Sequence, residues 1–185
     1  MSPKNFRLAP IVILAIIFSG CPVAFQNTPS DQYIHKTAQV IGSYYSTNED
    51  GVRQDVRIER SKSEKFPFVI PSFIKPEKGK PDDLLFQVYK VGDAQFLFGK
   101  RTSNDNYFCA KIESSSTQLV FHMVVEKFFL DNPGALPGTV ISGSGSGRSV
   151  KLTSSAEQIV AFLTLHKDNK KLFPDKPFLL NKIGT

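Results

Sequence analysis

The chain of 185 residues is poor in the residue types from which compact chemical sites are built. It has two cysteines, three histidines and no tryptophan. Two cysteines exclude a disulfide-dense mini-protein, and 12 glycines with 12 prolines are too few for a collagen-like fibre. Multi-pass membrane proteins are also excluded, because each span needs roughly 20 apolar residues. With 41% hydrophobic and 22% charged residues, the composition is that of one ordinary globular domain.

The first ten residues lack acids but carry Lys4 and Arg7, and residues 11–18 (IVILAIIF) form an unbroken apolar run. A basic start followed by a short apolar core is typical of a secretory signal. The run is shorter than the roughly 20 apolar residues that a membrane-spanning helix needs. Residues 1–20 are therefore predicted to be a signal peptide.

Phe18, Ser19, Gly20 and Cys21 follow the apolar run. This stretch resembles the bacterial lipobox, in which a bulky apolar residue, a small residue and Gly or Ala precede an acylated cysteine. Phe18 departs from the family pattern, which favours Leu. The resemblance implies that Cys21 becomes the new N-terminus and carries a covalent lipid, which would hold the protein at a membrane. An uncleaved N-terminal anchor and plain secretion are the alternatives.

The residue after Cys21 is Pro22, whereas Asp at that position is the inner-membrane retention signal familiar from enteric bacteria. The lipobox resemblance therefore implies a lipid-anchored protein of the cell envelope. In a Gram-negative source it would lie in the outer membrane, on the periplasmic or the surface face.

Positive charge does not predict a nucleic-acid partner. Removal of residues 1–20 lowers the net charge from +6 to +4. The remaining basic residues form no continuous block, because Lys75, Lys78 and Lys80 alternate with other residue types. The expected partners are the membrane, through the N-terminal lipid, and an envelope protein of unknown identity.

The scarce histidines do not form a metal-binding pattern. His35, His122 and His166 are far apart in sequence, and Cys109 has no companion thiol once Cys21 is acylated. No metal and no cofactor other than the covalent lipid is predicted. If Cys21 were not acylated, the two cysteines could form a disulfide after export.

Sequence motifs for catalysis are also missing. No nucleophile elbow is present, and the Ser/Gly run of residues 142–147 lacks the GxxxxGK[ST] arrangement of a phosphate-binding loop. No catalytic residue is assigned, and the protein is predicted not to be an enzyme.

Residues 21–36 are polar and interrupted by Pro29, so they are predicted to form a lipidated tether. As a flexible coil, this tether would hold the domain roughly 20 Å from the bilayer. Residues 37–185 are predicted to form a single β-rich domain.

Segments rich in β-branched and aromatic residues alternate with turn residues along this domain. Residues 39–45 and 52–60 flank the Asp50-Gly51 turn signal and predict a hairpin. Residues 66–74 contain two prolines and predict an edge strand or an extended crossing segment. Further strands are predicted at 84–91, 94–100, 107–113, 118–125, 138–141, 149–152 and 177–183.

Two helical segments complete the domain. A short helical turn is predicted at 126–131, and a longer helix at 155–168 is capped by Ser154 with Glu157 three residues later. The predicted fold class is mainly β (α+β). It is a meander of about eight antiparallel strands, curved or barrel-like, with the C-terminal helix packed on it.

Three longer stretches carry a second resemblance: VIGSYYSTNEDGVRQDVRIER, FQVYKVGDAQFLFGKRTSNDNYFCAKIE and LTSSAEQIVAFLTLHKDNKKLFPDKP. Together they are similar to a loose class of small uncharacterised bacterial lipoproteins with a β-rich domain. This resemblance implies the fold and carries over no functional residue.

Phenylalanines crowd the meander, and Phe96, Phe98, Phe108 and Phe121 are the candidates for lining a ligand cavity in a barrel. The other interpretation is that they fill the core of a protein without tryptophan. The function predicted from the sequence is that of an envelope lipoprotein with a structural or interaction role at the membrane surface. The alternative is a binding module for a small apolar ligand in a barrel-like cavity.

Overall fold

A computed structural model describes residues 23–36, 39–48, 50–74, 82–144 and 148–184. Within these ranges the chain forms eleven strands, two α-helices and a 3₁₀ turn (Asp31–Tyr33). The strands are β1 (Val23–Phe25), β2 (Gly42–Thr47), β3 (Arg53–Arg60), β4 (Phe68–Ile74), β5 (Asp82–Val91), β6 (Ala94–Arg101), β7 (Phe108–Ser114), β8 (Gln118–Met123), β9 (Thr139–Ser142), β10 (Ser149–Leu152) and β11 (Phe178–Lys182). The helices are α1 (Glu126–Asp131) and α2 (Ala156–His166).

Eight strands form a closed antiparallel barrel in the order β11-β2-β3-β4-β5-β6-β7-β8. Strands β2 to β8 follow one another as a meander, as their short turn-rich connections require. β11 closes the barrel by pairing with β8 on one side and β2 on the other, so that Leu180 lies opposite Leu119 and Asn181 opposite Tyr45. The predicted class, a mainly β barrel-like meander with a C-terminal helix, is confirmed.

β4 differs from the prediction of an edge strand, because it lies inside the barrel between β3 and β5. Its ladder to β3 is short, with Glu59 opposite Val69 and Arg60 opposite Phe68. Pro71 falls between Ile70 and Ile74, where the register with β5 shifts. Proline has no N–H to donate to a neighbouring strand. A local irregularity in the strand pairing therefore allows β4 to contain Pro71 and remain in the sheet.

The barrel encloses an apolar core, here called the barrel core, in which alternate residues of each strand point inward. Its buried members are Val40, Tyr44, Val56, Ile58, Phe68, Ile70, Leu84, Phe86, Val88, Leu97, Phe108, Ala110, Ile112, Leu119, Phe121 and Leu180.

A second apolar core, here called the outer core, lies against the outer face of β5, β6 and β7. It is covered by β1, α1, β10, α2 and the segment after α2. Its buried members are Val23, Phe25, Tyr89, Val91, Ala94, Phe96, Phe98, Cys109, Val124, Phe128, Phe129, Leu136, Val150, Leu152, Ile159, Phe162, Leu163, Leu172 and Phe173.

β1, β10 and β9 form a separate three-stranded sheet in that order. β1 runs parallel to β10, with Val23 opposite Val150, and β9 runs antiparallel to β10. Residues 23–36 therefore do not form the flexible tether that their polar composition predicts. The alternating apolar pair Val23 and Phe25 is buried in the outer core, and this burial fixes the segment to the domain.

The helix α2 begins one residue later than predicted. Ser155, not Ser154, is its N-cap, and the reciprocal partner of the capping box is Gln158 rather than Glu157. Ser154 is instead buried, and its hydroxyl donates a hydrogen bond to the carbonyl oxygen of Pro137. Consecutive serines made the two positions indistinguishable in the sequence.

Candidate functional site

The four candidate phenylalanines lie on two opposite faces of the barrel wall. Phe108 and Phe121 point into the barrel core, whereas Phe96 and Phe98 point outward into the outer core. Successive side chains of a strand alternate between the faces of a sheet, so Leu97 between them is the inward residue of β6. Phe96 and Phe98 therefore do not line the barrel cavity, in contrast to the expectation from the sequence.

The barrel interior is filled by side chains. Among the described residues, the cavity inside it has a volume of about 10 Å³. Its lining is wholly apolar: Ile58, Ile70, Leu84, Phe86, Leu97, Phe108, Phe121, Phe178 and Leu180. This space matches about one water molecule, whereas pockets for small ligands measure roughly 300–1,000 Å³.

The three histidines lie in different segments of the fold. His122 lies on the barrel wall, with Nδ1 at 3.0 Å from the carbonyl oxygen of Pro174 and Nε2 at 3.9 Å from Glu113. His35 is held by its backbone N–H, which donates to the Val88 carbonyl. Among the described residues, no group of three His, Cys, Asp or Glu side chains is arranged to hold a metal ion.

His166 is the last residue of α2. Its imidazole packs against the rings of Phe128 and Phe162, with centroid distances of 5.2 and 4.7 Å. Burial against these rings lowers the pKa of His166. The imidazole of His166 thus packs as a further ring beside the aromatic residues of the outer core.

Cys109 is fully buried in the outer core. Cys21, the predicted lipidation site, lies outside the described residues, as do residues 1–20 of the predicted signal.

A polar groove of about 330 Å³ lies between the β6 and β7 strands and the end of α2. Lys111 lies 3.4 Å from Asp168 and 3.8 Å from Glu113, and Lys167 is hydrogen-bonded to Asp93. The hydrogen bond from Lys167 lowers the pKa of Asp93 and raises that of Lys167. The three carboxylates of the lining outnumber its two ammonium groups by one, and each ammonium group is already paired with a carboxylate.

A second groove of about 360 Å³ opens at the start of α2, beside Asn27, Lys65, Tyr107 and Ser155. The Ser155 hydroxyl already caps the helix by accepting from the Gln158 N–H. The Lys65 ammonium lies 5.7 Å from the centre of the Tyr107 ring. The Ser155 hydroxyl and the Lys65 ammonium therefore each have a partner within the fold.

The segment that follows the predicted lipidation site is the best-defined candidate for a functional element. The Phe25 N–H donates to the Tyr107 carbonyl oxygen at 2.8 Å, and the Tyr107 N–H donates to the Phe25 carbonyl oxygen at the same distance. The ring of Phe25 meets that of Phe98 edge to face at 5.3 Å. Farther along, Ile34 forms an isolated antiparallel β-bridge with Tyr89. Burial raises the pKa of the Tyr89 hydroxyl. The chain is therefore held along most of residues 23–36.

The hairpin of β9 and β10 lies beside β1 and carries an exposed apolar pair. Val140 and Ile141 are 51% and 39% exposed, although both belong to a strand. Arg148 and Lys151 on the same hairpin are also exposed. This hairpin combines apolar and basic side chains at the surface next to the N-terminal strand.

Comparison with protein-family models, with curated proteins and with solved structures finds no match to this chain. Any function must therefore be argued from the residues themselves. In the described residues, no helix is long and apolar enough to cross a membrane.

Sequence reasoning missed the structural role of residues 23–25. The available signal was the alternation of Val23, Ala24 and Phe25, which places two apolar side chains on one face of a strand. A three-residue pattern is short, and its partner strand β10 is remote in sequence, so the pairing could not be deduced from local periodicity.

Proposed function

We propose that the protein is an envelope lipoprotein that is held to the membrane by a lipid on Cys21 and has a structural or interaction role there. The signal-like residues 1–20 and the lipobox-like stretch ending at Cys21 support the anchoring. Two or three acyl chains give stable anchoring, whereas one gives only marginal binding.

The position of β1 is the observation that carries this proposal. Cleavage before Cys21 leaves β1 whole, because the strand begins at Val23. Cleavage by an ordinary signal peptidase after Ala24 would cut β1 and remove Val23, which is only 1% exposed. The fold therefore favours a mature chain that starts at Cys21 over one that starts at Phe25.

The anchoring is tested by metabolic labelling with radioactive palmitate together with the intact mass of the mature protein. The wild type is expected to be labelled and to begin at an acylated Cys21. The Cys21→Ala variant is expected to lose the label and to retain residues 1–20. Cys109→Ala is the matched control and should keep the label, because Cys109 is buried.

Two results would contradict the lipid anchor: unchanged labelling of Cys21→Ala, or a mature protein that begins at Phe25. A disulfide between Cys21 and Cys109 would appear as a mass loss of about two hydrogens that reduction reverses.

The proposed location is the outer membrane in a Gram-negative source, because the residue after Cys21 is Pro22 and not the Asp that would signal inner-membrane retention. Density-gradient separation of the two membranes is the measurement. An Asp substitution, Pro22→Asp, is expected to move the protein to the inner-membrane fraction.

The alternative is a binding module for a small apolar ligand, and the closed barrel with its wholly apolar lining supports it. A cavity of about 10 Å³ would require side chains to move before a ligand could enter. Native mass spectrometry of the purified domain from its own membranes tests this alternative, which predicts a bound lipid or other apolar molecule of defined mass.

A further inference from the structure

The connection between the proposed lipid and the folded domain is short. β1 begins at Val23, and its backbone is bonded on both sides, to β10 and to Tyr107. Only Pro22 separates Val23 from Cys21. Two residues of fully extended chain reach at most about 7 Å, whatever conformation they adopt. A freely coiled segment of residues 21–36 would instead have allowed roughly 20 Å.

The sheet geometry shows which surface lies at that end of β1. β10 runs parallel to β1 with Val23 opposite Val150, so β1 and β10 begin at the same end of the sheet. β9 ends at the same level, because Ser142 lies opposite Ser149. Ser142 and Ser149 of the β9–β10 hairpin therefore lie at the same end of the sheet as Val23.

The chemistry of this hairpin fits the interfacial region of a lipid bilayer. Val140 and Ile141 are exposed apolar side chains, and Arg148 and Lys151 are exposed cations. The sequence has no acidic residue between Asp131 and Glu157. Cations next to apolar side chains bind anionic headgroups while the apolar groups enter the acyl boundary.

We propose that the β9–β10 hairpin and the start of β1 lie directly on the bilayer, with the barrel wall formed by β2 and β3 pointing away from it. This orientation rests on the proposed lipid anchor at Cys21. The occupant of the hairpin surface is the membrane itself, because a lipid that is attached within about 7 Å of Val23 brings the headgroups to this surface.

The test uses the full-length acylated protein, purified from its membranes and reconstituted in vesicles of phosphatidylethanolamine and phosphatidylglycerol. The vesicles contain a lipid with a nitroxide on its headgroup, which quenches nearby fluorophores. A thiol-reactive dye is placed at Val140→Cys on the hairpin or, as a matched control, at Arg57→Cys on β3. The Arg57 side chain is 73% exposed, and β3 lies across the barrel from β7.

We expect the nitroxide lipid to quench the dye at position 140 several-fold more strongly than the dye at position 57. Equal quenching at the two positions, or stronger quenching at 57, would overturn the orientation. Unmodified protein should take up no dye, because Cys109 is buried. The mass of each sample reports whether Cys21 is acylated. A protein without lipid would refute the proposed function. A lipidated protein without the difference in quenching would refute only the orientation.

A second variant tests the role of the short connection. Fifteen Gly and Ser residues inserted between Pro22 and Val23 leave β1 intact and should remove most of the quenching contrast. If the contrast persists, the hairpin binds lipid by itself and the short connection is not what orients the domain. Shielding of position 140 in native membranes but not in vesicles would assign the hairpin to a protein partner and overturn the assignment to lipid.

Discussion

The barrel core and the outer core share the strands β5, β6 and β7 but are assembled differently. The barrel core comes mostly from consecutive hairpins, whose inward residues meet across short connections, and β11 adds Leu180 from the C-terminal part of the chain. The outer core combines the first strand of the described chain with segments from its last third, such as Phe25 with Leu152 and Phe162. The barrel core therefore depends mainly on local pairing, and the outer core depends on distant parts of the chain meeting on one surface.

This difference separates the barrel from the part of the domain that lies next to the proposed lipid site. The barrel core lies inside a closed wall of eight strands that does not include β1, whereas the outer core includes the residues that follow the proposed lipid site. β6 belongs to both, since Leu97 faces the barrel core while Phe96 and Phe98 face the outer core. A disturbance of the outer core is thus expected to reach the barrel through the shared strands β5, β6 and β7.

The strongest test of this comparison removes one large ring from each core. Phe98→Ala in the outer core and Phe86→Ala in the barrel core should each lower the free energy of unfolding by about 3–5 kcal/mol. Both rings are fully or almost fully buried. Urea denaturation followed by circular dichroism measures the change. We expect one transition in both variants, because β6 couples the cores.

Two separated transitions in Phe98→Ala would show that the outer core unfolds alone, and the comparison would then become one between two independent units. Leu165→Ala is the control, since Leu165 on α2 is 78% exposed and its loss should have little effect.

Gly99 offers a smaller and more local test on the barrel side of β6. A Cβ at this position would lie 2.6 Å from the far end of the Phe108 ring and 3.2 Å from the Leu85 carbonyl oxygen. Gly99→Ala should therefore destabilise the protein by about 1–3 kcal/mol through overpacking. Thermal denaturation measures the loss.

The companion variant Phe108→Leu removes the ring that the new methyl group would meet. In that background the cost of Gly99→Ala should fall below about 1 kcal/mol, because neighbouring sites are not additive. An unchanged cost would mean that the backbone oxygen of Leu85, not the ring, limits the space.

The weakest expected effect concerns the barrel rim, where Asp82 accepts hydrogen bonds from the Thr102 hydroxyl at 2.7 Å and the Ser103 N–H at 3.0 Å. Burial by itself would raise the pKa of Asp82, but the hydrogen bonds from Ser103 and Thr102 and the charge of Arg101 lower it overall. A lowered folded-state pKa adds stability above the unfolded value of about 3.9, and this stability is lost as the pH falls through the folded value.

Asp82→Asn should therefore make the loss of stability below about pH 4 shallower than in the wild type. Urea midpoints measured from neutral to acidic pH check this. Asp55→Asn is the control, because that carboxylate is 68% exposed in a surface ion pair with Arg53. An equal effect of both substitutions would show that acid sensitivity is not a property of the rim.

The local parts of the fold could be predicted from the sequence. Turn signals such as Asp50-Gly51 and the alternation of apolar residues define hairpins between neighbours in the chain. The order of β2 to β8, the short helix α1 and the helix α2 all follow from such short-range patterns. Their ends shifted by a few residues, as the cap at Ser155 illustrates.

The face on which a side chain lies could not be predicted where both faces of a strand are apolar. In β6, Phe96, Leu97 and Phe98 are all hydrophobic, so the alternating pattern does not distinguish inside from outside. The partners that cover the outer face, β1 and α2, come from opposite ends of the chain. The same distance explains why residues 23–36 were expected to form a tether.

The order of folding follows from the parallel pairing of β1 with β10. The Asn27 side chain donates to the Ser154 carbonyl oxygen across 127 residues of chain. β1 therefore cannot take its place until most of the chain is available, and contacts of such long sequence separation form slowly. Until then β1 cannot cover its part of the outer face of β5, β6 and β7. The first described strand to be synthesised is therefore secured only once β10, the last strand but one, is available.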